Sequence, residues 1–439
     1  MLTPAELKVQ CLGERTHASP LNLSTVAGDE IADYVPDRAR VLVHGELLEG
    51  ESLDTSLCFE KAGPRETIFF DPPSTRAAIV TCGGLCPGLN NVIRSIVLEL
   101  HHKYRVREVL GFRYGYQGLG PNALPALHLT PDVVRDIHKT GGSILGTSRG
   151  AESVETMVDT LEKLGVDILF TIGGDGTLKG SHAIHEEVER RGLKIALVGV
   201  PKTIDNDLSA TDFTFGFDTA LKVATEAVDR LHTTADAHDR VLIVETMGCY
   251  AGWIALRAGI AGGGDVILLP EIKYRPADVT AAIRERRRRG KNFSIVVVSE
   301  GAAPEGGGMT VMKTVEGSTD PVRLGGVSYR VAEMIEKGTG IESRVVVLGH
   351  LQRGGEPTPF DRWLATGFGA GAAELIAAGR FGRMVAVRGP EFVSVPLSAA
   401  VGKLKRVSPG SCEVRAALGV GTSFGRADLA ARLLKRVCS

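Results

Sequence analysis

Short hydrophobic runs alternate with amphipathic stretches along the chain from Arg76 onward. In each run several consecutive positions are apolar, which is typical of strands that a parallel sheet buries on both faces. The runs end in glycine or polar residues, and they read AAIVTCGG, VDILFTIGGDG, KIALVGVPKT, RVLIVETMG, DVILLPE, FSIVVVSEG and RVVVLGH. The stretches between them predict helices at 90–104, 180–191, 218–232 and 277–289. The alternation therefore indicates an α/β fold with mostly parallel sheets.

The predicted strands are too many for one compact sheet, so we expect two Rossmann-like three-layer α/β domains that face each other. Residues 1–75 are mixed and polar, with strand character at 40–43, and we interpret them as an N-terminal extension without assigned chemistry. In open α/β sheets, ligands bind at the carboxyl ends of the strands. The polar and glycine-rich residues follow those ends, which is where we expect the site.

Composition and charge narrow the class of protein. The formal net charge of -1 gives no general attraction to nucleic acid or to an anionic membrane surface, so any binding of anionic substrates must be local. The N-terminus does not read as a signal peptide, and no apolar stretch approaches the length of a membrane span. The seven cysteines are odd in number and scattered, which favours reduced thiols. We therefore expect a cytoplasmic protein without nucleic-acid or membrane partners.

A glycine-rich turn, TCGGLCPGLN at 81–90, follows the first of these strands. Glycines between a strand and a helix leave backbone N–H groups free beside the positive end of the helix, an arrangement that suits phosphate. A plain tight turn explains this motif equally well.

A second turn, GGDGT at 173–177, places an acid between glycines at a strand end. The glycines let a polyphosphate approach the backbone, and Asp175 can hold the Mg²⁺ that bridges the oxygens of the polyphosphate. The GxxxxGK[ST] spacing of a Walker loop is absent. Capping of the following helix by Asp175 is the alternative. We favour phosphate binding, because the same five residues occur in several kinase families that use nucleotides without a Walker loop.

A third strand end carries PKTIDND at 201–207, with two carboxylates two residues apart beside a threonine and a lysine. One carboxylate can take a proton from a substrate hydroxyl. The other can tune the first carboxylate or help to hold Mg²⁺. A simple Asp/Asn-rich turn is the weaker interpretation.

Cationic residues accompany these turns. Arg240 and Arg344 each open a predicted strand, and Arg149 follows the stretch GGSILGTSRG. Guanidinium groups near a glycine-rich, acid-bearing cleft suit phosphate oxygens, although each arginine taken singly is more often a surface ion-pair partner. The charge run RERRRRGK at 284–291 is interpreted as a solvated helix end, with a regulatory phosphate site as a minority alternative.

Together these motifs resemble the phosphofructokinase family over residues from about 76 to 424. The resemblance is carried by GGLCPGLNNVIR, GGSILGTSRG, TIGGDGTLKG, PKTIDND, MGCYAG with IAGG, SEG and GHLQRGG. It implies an ATP-dependent 6-phosphofructokinase of glycolysis, with Mg·ATP and fructose 6-phosphate as substrates, and a homodimer or homotetramer. The implied organisation is an extension at 1–75, a nucleotide-binding domain at 76–216 and 352–403, and a sugar-phosphate-binding domain at 217–351 and 404–439.

The resemblance also implies catalytic roles. Asp205 matches the family's proton acceptor for the sugar 1-hydroxyl, and Asp207 matches its second acid. Thr203 matches a contact of the substrate and the transferring phosphate, Asp175 matches the Mg²⁺ ligand, and Arg149 is positioned to steady the transferring phosphoryl group.

Further positions match ligand contacts of the family. Those implied for ATP are Gly83, Tyr116, Arg149, Gly150, Gly174, Asp175, Gly176 and Thr177. Those implied for fructose 6-phosphate, besides Thr203 and Asp205, are Met247, Gly248, Cys249, Glu300, His350 and Arg353. Arg240 and Arg344 match the pair that grips the 6-phosphate. In many members one of that pair comes from a neighbouring subunit, which is why the resemblance implies an oligomer.

Two positions bear on the phosphoryl donor. Pyrophosphate-using members typically carry an acid where this chain has Gly176, filling space that the α-phosphate of ATP needs, and a lysine where it has Lys202. ATP-using members have glycine at the first position, and some keep the lysine. We expect ATP, with pyrophosphate as the alternative.

The chain departs from the family at Cys249, where an arginine near the transferring phosphate is usual. This keeps open a catalytically weak or regulatory subunit. The bacterial allosteric site is also incomplete, with Leu98, His232 and Phe293 at positions where basic or imidazole groups are expected. A lipid or NAD kinase that shares GGDGT alone is disfavoured, because those families lack PKTIDND and GHLQRGG.

Overall fold

The computed structural model describes residues 4, 7, 12–43, 54–148, 150, 152–314 and 322–434. The strands are β1 His17–Ala18, β2 Arg40–Leu42, β3 Cys58–Lys61, β4 Thr67–Ile68, β5 Arg76–Thr81, β6 Glu108–Phe112, β7 Leu127–His128, β8 Ile168–Gly173, β9 Ala196–Pro201, β10 Val241–Thr246, β11 Val266–Leu268, β12 Ser294–Ser299, β13 Val311–Thr314, β14 Val322–Leu324, β15 Ser343–Val347, β16 Arg383–Arg388 and β17 Glu391–Pro396. The α-helices are α1 Leu89–Leu98, α2 Pro131–Val134, α3 Val154–Lys163, α4 Asp175–Arg190, α5 Phe217–Asp236, α6 Trp253–Ala261, α7 Pro276–Arg288, α8 Val327–Thr339, α9 Pro359–Ala377, α10 Leu397–Ala400, α11 Cys412–Gly419 and α12 Ala427–Leu434. A π-helical turn at Glu99–Lys103 extends α1.

The described residues fall into two compact units. Unit 1 takes them from Met1–Thr203, Leu208–Gly216 and Gly355–Lys403, and unit 2 from Ile204–Asp207, Phe217–Gly354 and Leu404–Ser439. The loop after β9 is therefore divided, because Lys202 and Thr203 belong to unit 1 while Asp205 and Asp207 belong to unit 2.

Unit 1 is built on one large sheet, which in the described part of the chain has the strand order β2-β3-β17-β16-β9-β8-β5-β6-β7. The central strands from β16 to β6 are parallel, and antiparallel strands flank them on both sides. Every residue of β8 and β9 is buried, as expected when both faces of a parallel sheet are covered. Met384 and Ala386 pack with Leu178 of α4, whereas Val385 between them lies against Gly371 of α9. Helices therefore cover opposite faces of this sheet.

The N-terminal region contributes to the same sheet. Strands β2 and β3 continue it beyond β17 in antiparallel pairing. Buried Arg65 pairs with Glu60 at 3.5 Å and with Asp37 at 3.1 Å, and Arg380 bonds Glu60 at 2.8 Å. A buried charge that keeps several partners resists separation from them, because each partner left alone would be a desolvated ion. The described part of 1–75 thus packs as part of unit 1.

Unit 2 contains a four-stranded parallel sheet, ordered β11-β12-β10-β15 among the described residues. One face packs on α7 and α8, where Val241, Ile243 and Val296 meet Ile283 and Val331. Helices α5 and α6 pack on strands of the same sheet. Strands β13 and β14 form a separate antiparallel hairpin.

The prediction of an α/β fold with mostly parallel sheets is confirmed. Each of the hydrophobic runs contains a strand, namely β5, β8, β9, β10, β11, β12 and β15. The predicted helices correspond to α1 with its π-helical turn, α4, α5 and α7. The charge run ends α7 as predicted, and Arg288 and Arg289 there pair with Glu285. Within the ranges given above, none of the helices has the length and apolar character needed to cross a bilayer.

Candidate active site

Loops at the carboxyl ends of β5, β8 and β9, neighbours in the sheet of unit 1, converge on one place. Gly83 has φ +84°, a left-handed conformation that favours glycine. A Cβ built on Gly83 would lie 3.6 Å from Lys202 Nζ and 4.0 Å from Thr177 Oγ1. Lys202 Nζ donates to the carbonyl oxygen of Gly84 at 2.6 Å. The structure thus brings together residues from the first, second and third predicted motifs.

The GGDGT turn forms the start of α4, a helix of 16 residues. Gly174 is the N-cap, and Asp175, Gly176 and Thr177 make the first turn, whose backbone N–H groups have no partner within the helix. A side chain on Gly173 would collide with Thr177, so close packing requires glycine there. Gly176 is exposed. The turn therefore presents N–H donors at the positive end of a helix, a suitable place for phosphate oxygens.

Asp175 has an environment that suits a cation. Its Oδ1 accepts a hydrogen bond from Gly402 N at 2.9 Å, and its Oδ2 pairs with the exposed Lys179 Nζ at 2.7 Å. No group of three or more acidic, histidine or cysteine side chains within the described ranges forms a complete metal cage. Mg²⁺ commonly binds one or two carboxylates together with water and substrate phosphates. The single carboxylate at this helix end fits that mode.

Two positions expected at the nucleotide have defined surroundings. Tyr116 is 5% exposed, and its hydroxyl donates to Thr177 O at 2.7 Å, so the ring lies beneath the GGDGT turn. Burial raises the pKa of Tyr116 well above its ordinary value. Gly150 lies against the side chain of Gln117. Arg149 lies outside the described residues.

The loop with the paired carboxylates turns sharply between Ile204 and Asp207. Ile204 is fully buried, and Asn206 is buried with φ +50°, a left-handed conformation that asparagine tolerates better than most residues. Asp205, between them, is half-buried. In unit 1, Thr203 O accepts a hydrogen bond from Thr214 Oγ1 at 2.7 Å. Local backbone geometry therefore fixes the place of the predicted base.

In unit 2, hydrogen bonds join the carboxyl ends of β10 and β12. Gly248 N donates to Glu300 Oε1 at 3.3 Å, and Glu300 N donates to Thr246 O at 2.9 Å. A side chain on Gly301 would collide with the carbonyl of Cys249, so glycine lets the two loops approach. The structure thus brings Gly248, Cys249 and Glu300 together.

Glu300 also lies within electrostatic reach of the predicted base. Burial, together with the neighbouring carboxylates of Asp205 and Glu245, raises its pKa to about 7, while the Gly248 N–H and Arg353 oppose the shift. The charges of Asp205, Glu245 and Arg353 thus all act on Glu300, and Arg353 follows β15 in a 3₁₀ turn at Gly349–Arg353. His350, in the same turn, is exposed, and Met247 is half-buried.

Glu245 was missed by the sequence analysis. It is 3% exposed on β10, and it accepts hydrogen bonds from Gly326 N at 3.0 Å and Ser328 N at 2.9 Å at the start of α8. Acceptance of donors at a helix N-terminus stabilises a carboxylate. An acid inside the apolar run RVLIVETMG is the signal from which it could have been found.

Arg240 and Arg344 come together at the opposite end of this sheet. Arg240 precedes β10 and bonds Glu342 Oε2 at 2.6 Å, and Arg344, at the start of β15, pairs with the same carboxylate. Met247 and Glu300 follow the other ends of their strands. A six-residue strand spans roughly 20 Å. Within one chain, the structure therefore separates the arginine pair from Met247, Gly248 and Glu300.

Comparisons with known proteins agree with this architecture. The family model for phosphofructokinase matches residues 76–376. An ATP-dependent 6-phosphofructokinase of Spirochaeta thermophila is 44% identical over 80% of this chain and 98% of its own length. A pyrophosphate–fructose 6-phosphate 1-phosphotransferase of Streptomyces coelicolor is 46% identical over 80% of this chain and 100% of its own. The solved structure of Pichia pastoris phosphofructokinase in the T-state is 28% identical, with a TM-score of 0.64 over 76% of this chain and 38% of that one. The chain belongs to the phosphofructokinase family.

Proposed function

We propose that this protein is a 6-phosphofructokinase that transfers the γ-phosphoryl group of Mg·ATP to the 1-hydroxyl of fructose 6-phosphate. The observation that carries the proposal is the grouping of Asp205 with Glu300, Gly248 and Arg353 in unit 2. This grouping supplies a proton acceptor together with polar and cationic groups for a sugar phosphate. Relatives named ATP-dependent 6-phosphofructokinase, similar over nearly their whole length, support the same reaction.

Asp205 acts as the general base in this proposal. Its carboxylate takes the proton of the sugar 1-hydroxyl as that oxygen bonds to the γ-phosphorus, while the bond from phosphorus to the ADP oxygen breaks. The products are fructose 1,6-bisphosphate, ADP and a proton first held on Asp205. Thr203, two residues earlier, is assigned to the substrate and the transferring phosphate, and Asp207 to the second acid.

The donor is held by residues of unit 1. The N–H groups of the GGDGT turn and the left-handed Gly83 suit the donor phosphates, and Gly150 belongs to the same set. Tyr116 supports the turn through its bond to Thr177. Asp175 would hold Mg²⁺, which neutralises phosphate charge when bound.

ATP is favoured as donor because Gly176 is an unsubstituted, exposed glycine in the first turn of α4. An acid there would bring negative charge and volume toward the α-phosphate. Pyrophosphate is the second candidate, favoured by Lys202 and by the similarity to the Streptomyces coelicolor enzyme named for that donor.

The arginine pair supports a homo-oligomer, a dimer or a tetramer. Arg240 and Arg344 lie at the far edge of the sheet from Glu300, so a shared role in binding sugar phosphate requires the site of a neighbouring copy. A cytoplasmic location completes the proposal and rests on the odd, scattered cysteines of the sequence.

The test is the Asp205→Asn variant, assayed by formation of fructose 1,6-bisphosphate from fructose 6-phosphate and Mg·ATP. We expect kcat to fall by about 10²–10⁴, the range for a lost general base, with a much smaller change in KM. Asp236→Asn, at the exposed end of α5, is the matched control and keeps wild-type activity. Near-normal kcat in Asp205→Asn overturns the assignment. A wild-type protein that forms no product with either donor indicates a regulatory subunit instead.

A further inference from the structure

A short segment near the C-terminus lies against several loops of unit 2. This segment, residues 404–407, which we call the C-terminal strap, follows the point where the chain leaves unit 1 for the last time. It lies beyond residues 76–376, the part that the family model matches, and it contains none of the motifs discussed above.

The strap holds the loop of the predicted base through Lys405. The backbone N–H of Lys405 donates to Asp207 O at 2.7 Å, and its Nζ donates to Asn206 Oδ1 at 3.1 Å. Asn206 is 2% exposed and left-handed. These bonds engage both residues that directly follow Asp205, one through its side chain and the other through its backbone.

The strap also holds the start of α6, the helix that follows β10 in the chain. Lys405 O accepts a hydrogen bond from Trp253 Nε1 at 2.8 Å. Glu271 Oε1 accepts one from Val407 N at 2.8 Å and one from Gly252 N at 3.1 Å. The strap thus connects the loop of the predicted base, residues 204–207, with residues 247–252, which lead from β10 into α6.

We infer that Lys405 is a positioning residue for phosphoryl transfer. Its ammonium binds Asn206 and its backbone binds Asp207. Because these two residues directly follow Asp205 in the chain, holding them orients the carboxylate of Asp205. The inference rests on the proposed function of Asp205. Lys405 is not a catalytic residue in this account, since it acts through the loop. The charge-assisted bond to Asn206 is stronger than a neutral one, and without it a buried carbonyl oxygen loses that donor.

The test uses the full chain and approaches the bond from both sides. Lys405→Met removes the ammonium and retains the backbone bonds. Asn206→Gly removes the acceptor and retains a residue that tolerates positive φ. Lys405→Arg restores charge, and Lys403→Met, at a neighbouring exposed lysine, is the matched control. The kcat, the KM for fructose 6-phosphate and the midpoint of thermal unfolding are measured for each, with hydrogen–deuterium exchange of residues 204–208.

We expect Lys405→Met and Asn206→Gly each to lower kcat about tenfold, because small displacements of a reacting group cost this much or more. The double variant loses no more than either single one, since both changes remove the same bond. Lys405→Arg recovers part of kcat, Lys403→Met keeps all of it, and KM changes much less. Exchange at 204–208 rises in both single variants.

The opposite results overturn the inference. These are wild-type kcat in Lys405→Met, or losses that multiply in the double variant. If Lys405→Met fails to fold, Asn206→Gly decides alone. If the wild type has no phosphofructokinase activity, the proposed function fails separately, and unchanged exchange at 204–208 then refutes the role of Lys405 in holding the loop.

Discussion

Lys202 Nζ donates a hydrogen bond of 2.6 Å to the carbonyl oxygen of Gly84. The side chain is 3% exposed, and the bond ties the end of β9 to the turn after β5. A buried ammonium in this position holds the glycine-rich turn in place. The lysine therefore has a structural role in this chain, and its presence alone does not select pyrophosphate as the donor.

Gly176→Asp is predicted to weaken the use of ATP. Gly176 is the second residue of α4, where an acid is compatible with the helix N-terminus, so we expect the variant to fold. The introduced charge and volume both oppose the anionic α-phosphate of ATP, whereas pyrophosphate lacks that group. The measurement is kcat/KM for both donors, and some pyrophosphate activity is expected to emerge.

Gly176→Asn is the matched control for this change, because it adds nearly the same volume without the charge. We expect it to impair ATP use less than Gly176→Asp. Undiminished use of ATP by Gly176→Asp contradicts our account of the donor site.

Arg344→Ala is predicted to raise KM for fructose 6-phosphate about tenfold to a hundredfold, the effect of losing a charged hydrogen bond. Hybrid oligomers then test where the arginine acts. If the site is shared between subunits as proposed, a hybrid of Arg344→Ala and Asp205→Asn subunits has one site that combines an intact Asp205 with an intact Arg344 from the other chain. We expect activity to reappear on mixing under conditions of subunit exchange. Failure to recover despite demonstrated hybrid formation indicates that the pair serves its own chain.

Glu300 is predicted to make the stability of the fold depend on pH. Its pKa is about 7 in the folded protein against an ordinary value of 4.5, because of burial and the nearby Asp205 and Glu245. Because the folded state binds the proton of Glu300 more tightly than the unfolded state does, protonation stabilises the fold. This stabilisation is complete at a pH below the ordinary pKa of 4.5, and it disappears as the pH rises through the folded-state pKa of about 7. The midpoint temperature of thermal unfolding, measured from about pH 5 to about pH 8, should therefore fall less in Glu300→Gln than in the wild type. Glu226→Gln, on the exposed face of α5, is the control and should follow the wild-type curve. An unchanged slope in Glu300→Gln refutes the raised pKa.

The parallel strands were predictable because burial on both faces leaves an uninterrupted apolar run in the sequence. The antiparallel strands that flank the parallel ones in the sheet of unit 1 were harder to predict from the sequence. Strand β3 has four residues, and its partner β17 lies more than 300 residues further along the chain, so no local pattern joins them. Periodicity describes burial, and it contains no information about which distant strand completes a sheet.

The same limit applies to the site. Glycines and acids at strand ends marked the turns at Gly83, Asp175 and Asp205, because such residues there are typical of phosphate binding and proton transfer, even though each turn also has a structural explanation. Lys405 gave no such signal, since a lysine in a polar segment is ordinary and its partner Asn206 is 199 residues away. Tyr116 was identifiable by position, but the sequence does not reveal that its ring lies beneath the turn.

The most direct test of the central claim is the initial rate of fructose 1,6-bisphosphate formation by the wild-type protein. The rate is measured with fructose 6-phosphate and Mg²⁺, over a range of ATP and, separately, of pyrophosphate. We predict product with ATP and a kcat/KM for ATP at least about tenfold above that for pyrophosphate, a difference of about 1.4 kcal/mol in transition-state stabilisation. A preference for pyrophosphate, or no product with ATP, contradicts the account.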